Sequence, residues 1–82
     1  MMGNIYVIRM KITIHYPINE GISYDETLEG DWVDLYGVRS KDQLERELQR
    51  LRKKAAEDMK EEKASGKAYD VCDYDYITLM VY

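Results

Sequence analysis

The 82-residue chain contains no phenylalanine, one cysteine, one proline and one histidine. Each shortage excludes something. A single cysteine, Cys72, rules out an internal disulfide and fits a reducing compartment. One histidine and one cysteine cannot build a structural zinc site, and the aspartates lack EF-hand spacing, so no metal and no cofactor is expected. Nucleophilic catalysis requires a base beside the nucleophile, and His15 with Cys72 is the one pair on offer. A lone cysteine in a strand is ordinarily a small packed hydrophobe, so no catalytic residue is expected. Neither "GNIYVIR" nor "GDWVDLYG" carries the Gly-x-Gly or Gly-Lys-Ser/Thr element of a phosphate loop. No apolar run approaches the ~18 residues of a membrane span. The opening "MMGNIYVIRMKITIHY" alternates polar with apolar residues, unlike a secretory leader. These exclusions leave the expectation of one non-enzymatic, cytoplasmic domain over residues 1–82, without membrane association.

Basic residues are missing from two long stretches. Residues 12–38 hold no lysine or arginine but gain Glu20, Asp25, Glu26, Glu29, Asp31 and Asp34. Residues 68–82 again hold none, and add Asp70, Asp73 and Asp75. The segment Arg39–Lys67 carries ten Lys/Arg against seven Asp/Glu, for +3. Everything else carries two against nine, for −7, which together give the net −4. The strand-and-loop portion is therefore acidic and the intervening segment mildly basic, an asymmetry that speaks to partners rather than to fold.

Eight tyrosines and Trp32 supply all of the aromatic surface. A buried tyrosine hydroxyl needs a hydrogen-bond partner, so a core selected for packing alone would contain some phenylalanine. Tyrosine is enriched where one end of the ring is dry and the other wet, as at protein interfaces.

The secondary structure follows from periodicity. In "YVIRMKITIHY", Tyr6, Ile8, Met10, Ile12, Ile14 and Tyr16 share one parity, which predicts a long half-buried strand ended by Pro17 and the turn "PINEG". A short strand is expected around Ile22–Thr27, a turn at Glu29-Gly30-Asp31 and a strand from Trp32 to Tyr36. Ser40 followed by Gln43 reads as a helix start, and Gly66 as its stop. Between them Leu44, Leu48, Leu51, Ala55 and Met59 recur on one face, predicting a helix over Lys41–Ala64. The closing "YDVCDYDYITLMVY" alternates in its first half and is apolar on both parities in "ITLMVY". Such a strand belongs in the middle of a sheet or under cover on both faces, because an exposed apolar edge invites aggregation. The expected fold is α+β: an antiparallel sheet of three to four strands with one long amphipathic helix packed across one face, in the order β-(β)-β-α-β.

Asp73 and Asp75 fall on one face of the last strand at a pitch of ~6.8 Å. Aspartate is a poor strand former, so three in one strand point to a role other than structure. A carboxylate row at this pitch approximates phosphates along a nucleic-acid strand. The expected function is an inhibitor that occludes a basic, nucleic-acid-binding surface of a protein partner such as a nuclease. Tyr69, Tyr74, Tyr76 and Trp32 are the candidate anchors, and Glu29, Asp31, Asp34, Asp70, Asp73 and Asp75 the steering charges. In size, charge and lack of catalytic groups the chain resembles the small acidic proteins that phages and mobile elements direct against host nucleases, anti-CRISPR proteins and DNA mimics among them. The alternative is a homodimer or larger assembly joined through the last strand and its tyrosines. Direct nucleic-acid binding through Arg46, Arg50, Lys53 and Lys60 is not expected, since Glu57 interrupts that helical stripe and the pI is about 4.9.

Overall fold

The computed structural model describes residues 3–16, 26–66 and 68–81. Within these described residues five elements follow one another: β1 (Gly3–Tyr16), β2 (Glu26–Glu29), β3 (Val33–Val38), α1 (Lys41–Ala64) and β4 (Tyr69–Val81). The architecture is α+β, with one helix packed on an antiparallel four-stranded sheet. The turn expected at Pro17 and most of the strand expected over Ile22–Thr27 lie outside the described residues. The last part of that strand overlaps β2, and the strand expected over Trp32–Tyr36 lies two residues later at its C-terminal end.

The helix begins and ends where its capping residues require. Ser40 Oγ accepts from the Gln43 N–H at 3.1 Å, satisfying one orphan donor of the first turn. Gly66 takes φ +73°, the left-handed conformation that closes a helix without a side-chain penalty.

β1 is the centre of the sheet. β4 pairs with it from Gly3↔Val81 to His15↔Tyr69 without a break. Its other edge is shared end to end, β3 pairing over Tyr6–Met10 and β2 over Thr13–Tyr16. Between those two partners Gly30 donates its N–H to the Ile12 carbonyl at 2.9 Å, and a Cβ at Gly30 would stand 2.9 Å from that same oxygen. Glycine is therefore required at this close approach.

Directly opposed residues in an antiparallel pair share a face, so the register sorts the side chains. Tyr6, Ile8, Met10 and Ile12 of β1, with Cys72, Tyr74 and Tyr76 of β4, lie on the helix side. The core there is Ile8, Val38, Leu44 and Leu48, with Tyr6, Leu51 and Tyr74 packed against it. Ala55 and Met59, farther along the leucine stripe, are only half-buried.

One expectation about β4 is overturned. The sequence pattern places its apolar half inside the sheet or under cover, yet among the described residues β4 pairs with β1 alone, as an edge strand. Ile77, Leu79 and Met80 are 38, 48 and 62% exposed. The reason is topological: β1, being longer and alternating, takes the centre, and both of its edges are filled by chain that follows it.

Candidate functional site

Among the described residues, the helix covers one side of the sheet and no element covers the other, the open face. On that open face β1 presents Arg9 and Lys11 two residues apart, which at ~3.4 Å per residue sets two cross-strand rows about 7 Å apart. In the first row Arg9 stands opposite Asp34 on β3 and opposite Asp75 on β4. Its Nε lies 2.7 Å from Asp34 Oδ1. In the second, Lys11 pairs diagonally with Glu29 of β2 and stands opposite Asp73 of β4. Each cation is flanked by a carboxylate on both neighbouring strands, so the two rows together carry −2.

A β-bulge makes the first row. Ile8 pairs with Tyr36, but Arg9 pairs with Asp34, leaving Leu35 as the extra residue. Without the slip Asp34 would fall opposite Met10 on the helix side, because a one-residue shift exchanges the faces. Beyond the rows the open face becomes apolar: Val7 is opposite Ile77, and Ile5 is opposite Leu79.

The residues singled out in the sequence separate into three groups, with Tyr69 apart from them at the far end of the open face, opposite His15. Glu29, Asp34, Asp73 and Asp75 come together on the open face. Asp31 and Trp32 are exposed in the link between β2 and β3, beside that face's edge. Asp70, Tyr74 and Tyr76 share the opposite parity and lie on the helix side, so the Asp–Tyr segment is not one surface. Tyr74 is committed to the core, where burial first of all raises its hydroxyl pKa. Tyr76 meets Tyr6 edge to face, ring centroids 6.1 Å apart. Tyr69 stacks on His15 at 5.0 Å, with Lys63 Nζ 5.3 Å from its ring centroid. Arg9 and Lys11 were missed as members of the site. Their identical parity and spacing to Asp73 and Asp75 was the available signal, but it became meaningful only once β1 and β4 were known to be neighbours.

That adjacency also brings His15 and Cys72 onto paired strands, yet on opposite faces and three residues out of register. Cys72 faces the groove beneath the helix. Desolvation first, then the carboxylates of Asp70 and Glu62, raise its thiol pKa above the ordinary 9.0. The sign follows: at pH 8 the folded-state thiol is more protonated than a free one, and ionisation is postponed to higher pH. Alkylation of Cys72 by iodoacetamide at pH 8 is expected to run slower than that of a free thiol, with urea restoring the free rate. A rate equal to the free thiol in the folded chain would contradict the burial.

Among the described residues, no three His, Cys, Asp or Glu side chains are grouped to hold a metal ion. Among the described residues, too, no helix is long and apolar enough to cross a membrane. No protein-family model matches the chain, and neither a curated protein nor a solved structure matches it.

Proposed function

We propose that the chain is a non-enzymatic binding module whose open sheet face docks on the cationic, nucleic-acid-binding surface of a protein partner and occludes it. One observation carries this reading: the two cations that the described residues place on that face, Arg9 and Lys11, are already flanked on both sides by carboxylates. Arg9 is held by Asp34 and Lys11 by Glu29, which leaves Asp73, and the Asp75 oxygen that does not accept from the Tyr76 N–H, as the anions offered to a partner. The adjoining Ile5, Val7, Ile77 and Leu79 supply an apolar contact zone beside the charges, the combination of dry centre and charged margin that protein interfaces use. The anions contribute mainly to the association rate and to its salt dependence. Trp32 and Tyr69 are the exposed-side anchors in this reading, in place of Tyr74, which the core has taken.

The test is affinity capture from a bacterial lysate with wild type beside Asp73→Asn/Asp75→Asn. Both substituted side chains are exposed, so circular dichroism of the variant should match wild type. Wild type is expected to retain a basic nucleic-acid-binding protein at low salt and to release it on addition of duplex DNA. Retention by the variant is expected to drop by at least about tenfold, the loss of one close charge contact at ~1.4 kcal/mol or more. Equal retention by the two, or retention indifferent to salt, would remove the electrostatic reading.

A further inference from the structure

The outer edge of β4 differs along its length. Asp70 donates its N–H to Glu62 Oε2 at 2.9 Å, the Tyr74 carbonyl accepts from Arg52 Nη2 at 2.8 Å, and Tyr76 donates its N–H to Asp75 Oδ1 at 2.8 Å. On β1, the Ile12 carbonyl turns the other way, to Gly30. Backbone groups alternate sides along a strand, so the even-numbered residues of β4 point outward and the odd-numbered ones bond to β1. Through Tyr76 this outward edge is capped by side chains in three places, two of them from the helix. At Thr78 and Met80, no such cap stands among the described residues. The uncapped part lies in the apolar half of the strand, and both faces there are exposed: Met80 on the helix side, Ile77 and Leu79 on the open side.

We propose that a second copy of this chain pairs with this edge, antiparallel, about a two-fold axis that passes between the two Thr78 residues and runs perpendicular to the sheet. The proposal is independent of the partner assigned to the open face.

Four observations commit the edge to a second copy in this register. The area is the first. The chain exposes 6464 Å², roughly 1,300 Å² more than the ~5,100 Å² of a compact monomer of its mass. Its radius of gyration of 16.5 Å likewise exceeds the ~12 Å of a compact chain of this length. A stable dimer buries about 800 Å² per partner, so the exposed surface of the molecule as a whole has room for one such interface, and Ile77, Leu79 and Met80 contribute exposed apolar area to it at this edge. Self-complementarity is the second. About Thr78, Ile77 opposes Leu79 and Tyr76 opposes Met80, apolar rings and chains on both faces, and the Tyr76 N–H would exchange its bond to Asp75 for the Met80 carbonyl of the copy. Thr78 would exchange two backbone hydrogen bonds with its own copy. Charge is the third. An axis near residue 74 would set Asp73 against Asp75, whereas the axis at Thr78 keeps the two copies' carboxylates apart. Continuity is the last. The β2–β3 side is broken at residues 30–32 and bulged at Leu35, whereas β4 offers thirteen residues without a register shift. A bulged and interrupted edge is a poor template for pairing, and an unbroken one a good template. In the resulting dimer both helices lie on the same side, and the two open faces form one surface with Ile77 and Leu79 of each copy at its centre.

Sedimentation velocity on the full chain tests this, over about 10–500 μM, a range that brackets a micromolar Kd. Wild type is expected to dimerise within it. Thr78→Pro removes an outward N–H that β1 does not use, a placement an edge strand tolerates. It should leave the circular dichroism intact and weaken the dimer by at least about tenfold. Thr78→Lys and Thr78→Glu should each weaken it similarly, since a residue on the axis faces its own copy, and mixing the two in equal amounts should restore a heterodimer. That charge pair carries the test even if the proline variant misfolds. A wild-type monomer across the range overturns the proposal. So does a dimer untouched by these substitutions, which would place the contact on the open face or on β3. Failure of the mixture to restore association overturns the register and with it the proposal.

Discussion

Ile8→Ala is expected to cost about 2–5 kcal/mol, the range for removing a large aliphatic side chain from a packed site. Ile8 is 0% exposed and stands in the central strand, opposite Tyr36 on one side and Tyr76 on the other. It closes on Val38, Leu44 and Leu48 from the helix layer, and these four make up the buried hydrophobic core among the described residues. A domain of this size has about 4–12 kcal/mol in total, so one substitution removes a large share. At ~4–8 °C per kcal/mol, Tm should fall by at least about 8 °C. Thermal unfolding followed by circular dichroism at one fixed concentration measures it, with Leu28→Ala as the comparison. Leu28 is 58% exposed, and its loss should stay within about 0.5 kcal/mol. Equal losses at the two positions would mean that the core lies elsewhere.

The second large effect is Arg9→Glu. The substitution replaces the cation of the Asp34–Arg9–Asp75 row by a third carboxylate, with side chains ~5 Å apart on adjacent strands. Two attractive neighbours become two repulsive ones. Because the pair is partly exposed, each interaction is worth tenths of a kcal/mol up to about 1, and the reversal should total about 1–2 kcal/mol. The sign of the salt response is the diagnostic. Raising NaCl from low to high concentration screens repulsion in the variant and stabilises it, while wild type, whose row is attractive, gains nothing from the same screening. Urea unfolding at the two salt concentrations measures both. A variant that loses stability in step with wild type would show that the row contributes no net electrostatic energy.

The legible parts of this chain were those written in one short window. The helix over Lys41–Ala64 was legible because its cap, its 3.6-residue stripe and its terminal glycine all lie within 27 consecutive residues. The long first strand was legible because alternation is a local property of the chain. Asp73 and Asp75 could be placed on a common face for the same reason. What they faced could not be, since pairing between residues more than sixty positions apart leaves no local trace.

The amino-acid sequence by itself determined the α+β class, the length and polarity of the helix, the acidic balance of the strands, and the absence of a zinc or phosphate-loop motif. Tertiary structure alone decided three things. It put β1 in the centre, and so set Arg9 and Lys11 between rows of carboxylates that composition reads as unopposed. It inserted the bulge at Leu35 that turns Asp34 onto the open face. It left the apolar half of β4 at an edge, where the sequence pattern called for cover. The physical reason is common to all three. Strand order and register are fixed by which distant segments bury β1 most completely, and a slip of a single residue exchanges every side chain between the covered face and the open one.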